Sequence, residues 1–280
     1  MRSPFLAGAL IALGASTFAS DNAFGLTVPI PLTITGNQAT GTVVGLPGIN
    51  LDLTITFENA IGLNTDSIEA SATLISPLNF GLLRRLPALL RLPFALPVLV
   101  HVGPTPGSVL TFSGVYTLSF HTHLLSLDPL RPLSLLKSPD GGDFVDITKS
   151  EGIGSYRDDG SGGDFSDFLI ALDLRTIDAV IVEKFDSLQA LLNDSLASIP
   201  PEVATELQTE LTQARTLYAA GSTTEASDQV RAFSDFVKAH SGEEIPDVWQ
   251  AASPTVINVA GRLRSAADTL KFSLDRKASH

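Results

Sequence analysis

The chain has 280 residues, of which 44% are hydrophobic and 17% are charged, so it can bury one or two cores and is not of the disordered type. It contains no cysteine, which excludes disulfide scaffolds, thiolate zinc sites and cysteine nucleophiles. The net charge of the chain is −12, and it divides evenly between the two halves. Residues 26–175 contain 8 basic and 14 acidic side chains, and residues 176–280 contain 9 basic and 15 acidic side chains. Because an evenly acidic protein is repelled by phosphate backbones, we expect no nucleic-acid partner.

The first 25 residues have the pattern of a secretory signal peptide. Arg2 precedes a short apolar run at 5–19, and small residues then allow cleavage after Ala19 or after Gly25. We prefer Gly25, because Leu26 begins the first predicted strand. No later stretch has the roughly 20 uninterrupted apolar residues of a membrane helix. We therefore expect a soluble protein, secreted or periplasmic, with no transmembrane segment after leader removal.

Residues 26–175 alternate between apolar and polar side chains with a period of two. The alternation predicts strands at 28–34, 49–57, 68–74 and 110–120, and closing strands at 144–148, 152–157 and 165–173. One polar and one apolar face per strand are typical of antiparallel sheets packed on each other, so we predict an Ig-like antiparallel β-sandwich. Pro29 and Pro31 lack N–H donors along one flank, which places the first strand at a sheet edge. The glycine-rich segment 158–163 has the composition of a tight turn.

After Arg175 the apolar residues recur every three or four positions. This spacing predicts a bundle of three to four helices in residues 176–280, with apolar stripes at 177–199, 203–218, 226–237 and 256–274. We expect Ser253 to cap the last helix, with Pro254 at its first position.

Two other features of this half carry predictions. The segment 246–251, which holds Trp249, is expected to form a short extra turn. On the last helix, Arg264, Asp268, Lys271 and Asp275 alternate in sign and predict a solvated face with salt bridges.

Three histidines are candidate zinc ligands. His121 and His123 are two apart on a predicted strand, so they project from one face, and His101 lies in another strand-like run. The alternative is that they are surface histidines on the polar side of a strand. No cofactor is predicted.

Aspartates of the glycine-rich region are candidate calcium ligands: Asp158, Asp159 and Asp164. Their spacing matches neither an EF-hand loop nor the nonapeptide repeat of calcium-binding β-helices. The alternative is that they belong to ordinary hydrophilic turns.

The segment 78–97 combines many leucines with three arginines in an otherwise acidic protein. Its prolines at 87, 93 and 97 exclude a continuous amphipathic helix. We predict a long crossover loop packed on the β core, and the alternative is an exposed interaction loop. The candidate interaction residues are Leu82, Leu83, Arg84, Arg85, Leu89, Leu90, Arg91 and Phe94.

Two regions resemble modules of secreted bacterial proteins of unassigned activity. Residues 141–148, 154–157 and 163–170 resemble the closing strands of β-sandwich modules in exported proteins. Residues 232–239 and 241–245 resemble the small helical module of the FIVAR/FIMAH kind. The resemblance implies an accessory role at a cell surface or in the periplasm, and it carries over no active-site residue.

No catalytic motif is recognisable: the nucleophile elbow Gly-x-Ser-x-Gly and the phosphate loop are both absent. We therefore predict a non-enzymatic exported protein that has a binding or structural accessory role at the cell envelope or outside the cell. Its partner would be a protein or a polysaccharide of the envelope. One alternative is a carbohydrate-active hydrolase with paired carboxylates, and a second is a lipid or membrane-surface binder that uses the loop 78–97.

Overall fold

A computed structural model describes residues 24–76, 78–126, 132–151, 155–253 and 255–279. The predicted signal peptide, residues 1–25, falls almost entirely outside the described residues. The first strand begins at Phe24, two residues before the predicted start of the mature chain at Leu26.

The first sheet has seven antiparallel strands within the described residues. In spatial order they are β1 (Phe24–Pro29), β5 (Ile68–Ile75), β7 (Val98–Pro104), β13 (Ser166–Asp173), β9 (Leu133–Ser138) and β10 (Val145–Asp146), and β6 (Leu90–Arg91) also pairs with β13.

The second sheet also has seven antiparallel strands in the part of the chain that the structure describes. In spatial order they are β11 (Thr148–Glu151), β12 (Ser155–Gly162), β8 (Thr111–Ser126), β4 (Asp52–Ile61), β3 (Gln38–Thr42) and β2 (Leu32–Thr35), and β14 (Val248–Gln250) also pairs with β8. The two sheets together exceed the about seven to nine strands of an immunoglobulin domain.

One hydrophobic core contains side chains from both sheets. Leu53 and Phe120 enter it from the second sheet, and Val100 and Phe168 enter it from the first. Leu53 and Phe120 belong to the apolar sets of the sequence pattern, so the predicted sorting of the two faces is confirmed for their strands.

Pro29 lies in an edge strand, as predicted, whereas Pro31 lies between two strands. β1 is the edge strand of the first sheet and β2 is the edge strand of the second. Between them Ile30 is buried in the shared core, and its N–H donates to Ala70 O at 2.8 Å. The predicted single strand at 28–34 is wrong in this respect, because the chain passes from one sheet to the other at this point.

Helices follow the strands in the C-terminal part. β13 ends at Asp173, and Thr176 caps the next helix by accepting the Ala179 N–H at 3.3 Å. The long helices among the described residues are α2 (Ile177–Ser195), α3 (Pro201–Ala219), α4 (Thr223–Ala239) and α5 (Val259–Ala278). Their apolar stripes meet in a second hydrophobic cluster.

Three local predictions are wrong. Residues 158–162 are not a turn but part of strand β12, and residues 248–250 are not an extra turn but strand β14. The last helix begins at Val259, where Asn258 caps it by accepting the Gly261 N–H at 2.7 Å, rather than after Ser253.

The segment 78–97 covers the face of the first sheet that points away from the shared core. It contains a short helix, α1 (Phe80–Leu83), and strand β6. Leu82 and Leu90 are buried in a third cluster with Leu136 and Leu169. The predicted packing on the β part is therefore confirmed for Leu82 and Leu90. The prediction of a crossover loop is wrong, because the segment joins β5 to β7, which are neighbours in one sheet, and because it contains a helix and a strand.

The helices contact the β part through ion pairs, and we call this contact the junction. Arg264 of α5 binds Glu58 of β4 through two bonds of 2.7 and 2.8 Å. The prediction that Arg264 belongs to a solvated helix face is therefore wrong, although Lys271 and Asp275 do pair on the surface. None of the described helices is long and apolar enough to cross a membrane.

Candidate functional site

A cleft of about 540 Å³ lies where the C-terminal segment meets the ends of several strands. We call it the junction cleft. Strands β7 and β13 supply one wall, and β14 and the start of α5 supply the other. The side chains that give it chemical character are His101, Asp164, Asp167, Trp249, Gln250 and Arg262.

His101 and Asp167 form an ion pair on one wall of the cleft. The register of β7 and β13 places them opposite each other, and His101 Nδ1 lies 2.9 Å from Asp167 Oδ1. This hydrogen bond and the charges of Asp167 and Glu69 raise the pKa of His101, against the opposing effect of burial. The imidazole is therefore biased toward its charged form, and it is half exposed to solvent.

Gly103 leaves room for the imidazole of His101. The two residues lie two apart on β7 and so share a face of the sheet. A Cβ atom at Gly103 would lie 2.9 Å from His101 Nε2, which is closer than a van der Waals contact allows. The glycine therefore helps to set the position of the ring beside Asp167.

Arg85 holds the far side of Asp167. Ser138 of β9 lies opposite Asp167 in the register, and Arg85 Nη2 donates to its hydroxyl. Arg85 Nε also donates to Gly142 O at 2.9 Å, and the guanidinium lies 4.0 Å from Asp167 Oδ2. Arg85, which the sequence suggested as an interaction residue, is thus a tether that fixes the wall of the cleft.

Asp164 is the second carboxylate of the cleft. It contacts the Lys137 ammonium group, and Arg262 Nε lies 3.9 Å from its Oδ2. Its backbone carbonyl accepts a hydrogen bond of 2.7 Å from the Tyr116 hydroxyl. The position of Asp164 is therefore fixed by side chains from both the strands and α5.

Trp249 gives the cleft an aromatic surface. β14 pairs with β8, which places Trp249 opposite Phe112, and the two rings stack at 5.2 Å. The edge of Phe165 meets the indole at 4.8 Å. Trp249 is the single tryptophan of the chain, so its fluorescence reports on this site alone.

The hydroxyl of Ser166 is buried at the cleft without a hydrogen-bond partner among the described residues. A buried polar group without a partner costs roughly 1–3 kcal/mol, so such groups usually find one.

The three candidate zinc ligands do not converge. Val100 and Phe120 point into the shared core, so His101 and His121 lie on the outward faces of different sheets. His121 lies 3.5 Å from Asp52 and 3.1 Å from the Ser155 hydroxyl, and its ring centroid is 4.8 Å from that of His123. Within the described ranges no three His, Asp or Glu side chains are grouped to hold a metal ion.

The candidate calcium ligands are also separated. Asp158 points into the β core, whereas Asp159 lies on the opposite face and bonds the hydroxyls of Ser119 and Ser150. Asp164 belongs to the cleft. Burial raises the pKa of Asp158 to about 8, so this carboxyl is mostly protonated at neutral pH.

The candidate interaction residues of the loop 78–97 have different environments. Leu82 and Leu90 are buried, and Arg85 is the tether described above. Leu83, Arg91 and Phe94 line an apolar groove of about 680 Å³. Arg84 donates to Phe80 O at 3.2 Å, and Leu89 is exposed with a φ of 67°.

A further cavity of about 590 Å³ lies at the junction, and its charged groups face one another. Lys184 of α2 is buried, 3.2 Å from Asp146 Oδ2 and 3.0 Å from the Ser273 hydroxyl. Burial lowers the pKa of Lys184, although the charge of Asp146 opposes the shift. Arg175 binds Asp173 at 2.5 Å and Glu183 at 2.6 Å. Because these cations are matched by carboxylates, we interpret the cavity as part of the contact between strands and helices.

Sequence reasoning did not identify Asp167, Gln250 or Arg262 as parts of one site. They come from strands β13 and β14 and from helix α5, and only the register and the docking of α5 bring them together. The usable signal was Trp249, because tryptophan is enriched at interfaces, where one end of its ring system is packed and the other is polar.

Comparisons with other proteins give one match. The chain matches the family described as "Family of unknown function (DUF6689)" over residues 9–278, which is nearly its whole length. Neither the comparison with curated proteins nor that with solved structures gives a match. The chain belongs to DUF6689, a family of unknown function.

Proposed function

We propose that this protein is a non-enzymatic exported binding protein that acts at a cell envelope or outside the cell, and that its junction cleft binds a short stretch of an envelope polysaccharide. The observation that carries the proposal is the composition of the cleft, where an indole faces polar side chains whose charges are already matched.

Sugar hydroxyls both donate and accept hydrogen bonds, and the cleft offers partners for both. Asp164 and Asp167 accept, whereas Arg262 and Gln250 donate. Because each carboxylate contacts cations, a neutral ligand needs no counter-charge of its own. The indole of Trp249 supplies the apolar surface on which a sugar ring packs.

The same arrangement favours binding over hydrolysis. A glycosidase uses two carboxyl groups, one of which is kept protonated by an apolar or acidic environment. Asp167 instead contacts His101 and Arg85, and Asp164 contacts Lys137 and Arg262. We therefore assign both carboxylates to ligand binding.

Three further interpretations belong to this proposal. The two sheets, which share one core, form a β-sandwich, and the helices with their own core form a bundle. The N-terminal 25 residues act as a leader that directs the protein to the periplasm or the medium. The resemblance to FIVAR/FIMAH-like modules supports an accessory role at a cell surface.

Tryptophan fluorescence tests the proposed ligand. The purified protein would be titrated with chitotetraose, cellotetraose, maltotetraose and soluble peptidoglycan fragments while the emission of Trp249 is recorded. We expect at least one sugar to shift the emission in a saturable way, and we expect Arg262→Gln to weaken its binding about tenfold.

His121→Gln is the matched control for His101→Gln, because both histidines contact an aspartate on a strand but only His101 lines the cleft. We expect His121→Gln to leave sugar binding intact and His101→Gln to weaken it. Absence of a saturable shift with every sugar would refute the proposed ligand. Release of reducing ends from the bound sugar would show a hydrolase instead.

A further inference from the structure

The segment 78–97 exposes several large apolar side chains. Phe94 is 93% exposed, Leu78 71%, Phe80 67% and Leu89 53%. We call these four residues the apolar rim. Single exposed hydrophobic residues are ordinary on protein surfaces, but four from one segment of 20 residues mark an interaction site.

The apolar groove of about 680 Å³ adjoins this rim. Leu83, Leu92, Pro93 and Phe94 form one side, and the other side includes Leu124 and Leu125 at the end of β8. Aliphatic side chains dominate the lining, so the groove suits a hydrocarbon chain better than a polar peptide backbone, which would leave its hydrogen-bonding groups without partners.

The segment that carries the rim is anchored on the sheet. Leu82 and Leu90 are buried, and β6 pairs with β13 immediately after Leu89. Prolines at 87, 93 and 97 restrict the backbone between these anchors. The exposed side chains are therefore held outward in the unbound protein, and little conformational entropy is lost when they bind.

The segment that carries the rim has a charge opposite to that of the whole protein. The chain has a net charge of −12, yet residues 70–127 contain no aspartate or glutamate. Arg84 follows Phe80 by one helical turn and donates to its carbonyl, and Arg91 lines the groove. The rim thus combines apolar tips with guanidinium groups, which complement an anionic surface that has an apolar interior.

We propose that the apolar rim and its groove are a docking surface for an anionic phospholipid bilayer. Phe94, Leu89 and Phe80 enter the interfacial region of the bilayer, where acyl chains replace the water around these side chains. Arg84 and Arg91 remain at the level of the lipid phosphates. The protein would then bind the bilayer from the surface, with no segment crossing it.

Co-sedimentation with vesicles tests this docking surface. The full chain would be mixed with vesicles of equal parts phosphatidylglycerol and phosphatidylcholine, or of phosphatidylcholine alone. We expect binding to the anionic vesicles that falls with added salt, and we expect Phe94→Ser to weaken it about tenfold, because one buried aromatic side chain is lost. Arg84→Gln with Arg91→Gln should abolish the preference for anionic vesicles.

Ile61→Ser is the matched control. Ile61 is 75% exposed, and it pairs with the Thr111 end of β8, roughly 40 Å along that strand from the groove. We expect this variant to bind vesicles like the unaltered protein. The predicted leader is common to all variants, so it does not affect the comparison.

The proposal would be overturned if F94S bound vesicles as tightly as the unaltered protein. It would also be overturned if I61S lost as much vesicle binding as F94S. The absence of any preference for anionic vesicles would do the same. Binding of a protein partner by the rim without binding to vesicles would show that the surface serves a different class of ligand. None of these outcomes bears on the sugar titration, because the junction cleft and the groove share no lining residue.

Discussion

Replacing Asp158 with Asn tests whether a protonated carboxyl lies in the core of the β part. Asp158 is fully buried in strand β12, and neither of its carboxylate oxygens has a hydrogen-bond partner among the described residues. Burial raises its pKa to about 8, from an ordinary value of 3.8 in an unfolded chain. The folded protein therefore binds this proton more tightly than the unfolded chain does.

The sign of the pH dependence follows from this shift. A raised pKa in the folded state gives stability that is complete below about pH 4 and is lost progressively as the pH rises to about 8. One pH unit within this window corresponds to about 1.4 kcal/mol. Between pH 5 and pH 7.5, Asp158 alone should therefore lower the free energy of unfolding by about 3 kcal/mol. Asn keeps the shape of the protonated carboxyl and does not titrate.

Urea unfolding of both proteins at several pH values measures this effect, with Trp249 as the probe because it packs against Phe112 in the β core. We expect the stability of D158N relative to wild type to increase by about 3 kcal/mol from pH 5 to pH 7.5. D159N is the matched control, since Asp159 points outward and bonds two serines. It should lose stability rather than gain it. A difference between wild type and D158N that stays constant from pH 5 to pH 7.5 would refute the reasoning.

Three other changes have definite expected outcomes. Arg264→Met should lower the free energy of unfolding by about 2 kcal/mol, because it breaks two bonds to Glu58; a double-mutant cycle with Glu58→Gln should show that the two effects are not additive. Lys184→Met should cost about 3–5 kcal/mol because it leaves Asp146 buried without its nearest cation, and Asp146→Leu in the same chain should recover much of the loss in chemical denaturation. Gly103→Ala should displace the His101 ring from Asp167 and so lower the pKa of His101, which NMR titration of the imidazole protons would measure. An unchanged pKa would show that the added methyl group does not displace the ring.

Much of the secondary structure was predictable because periodicity is a local property. Ile55 and Phe57 alternate with polar residues and so mark one face of β4, and the recurrence of Leu188 and Leu192 marks one face of α2. Neither inference needs knowledge of a distant residue.

The error at 158–163 has an instructive physical cause. Glycine supports both tight turns and close packing, and the sequence cannot distinguish these uses. In strand β12 the glycines serve packing: a Cβ at Gly160 would lie 2.5 Å from the Ile147 side chain, and one at Gly162 would lie 2.3 Å from the Tyr116 hydroxyl. A composition typical of a turn is here a strand against which bulky neighbours pack.

The candidate site was largely hidden for a different reason. His101 and Asp167 are 66 positions apart and meet only through the register of two strands. Arg264 has the spacing of a solvated helix face, yet it is buried because Glu58 of a distant strand neutralises it. Such pairs depend on how elements dock, and no local pattern encodes docking.

The docking of the helices also determines whether the junction cleft exists. Trp249 and Gln250 reach it through the pairing of β14 with β8, and Arg262 reaches it because Arg264 and Ser265 fix α5 on the second sheet. If the helices separated from the sheets, the cleft would lose the part of its wall that α5 supplies. The two hydrophobic cores are separate clusters, so each could remain packed. A ligand that contacts both walls binds only the docked arrangement, so it must stabilise the junction by its own binding free energy. Conversely, a change that weakens the junction, such as R264M, lowers the apparent affinity for the ligand in proportion to the fraction of molecules that it leaves undocked, even though Arg264 does not line the cleft.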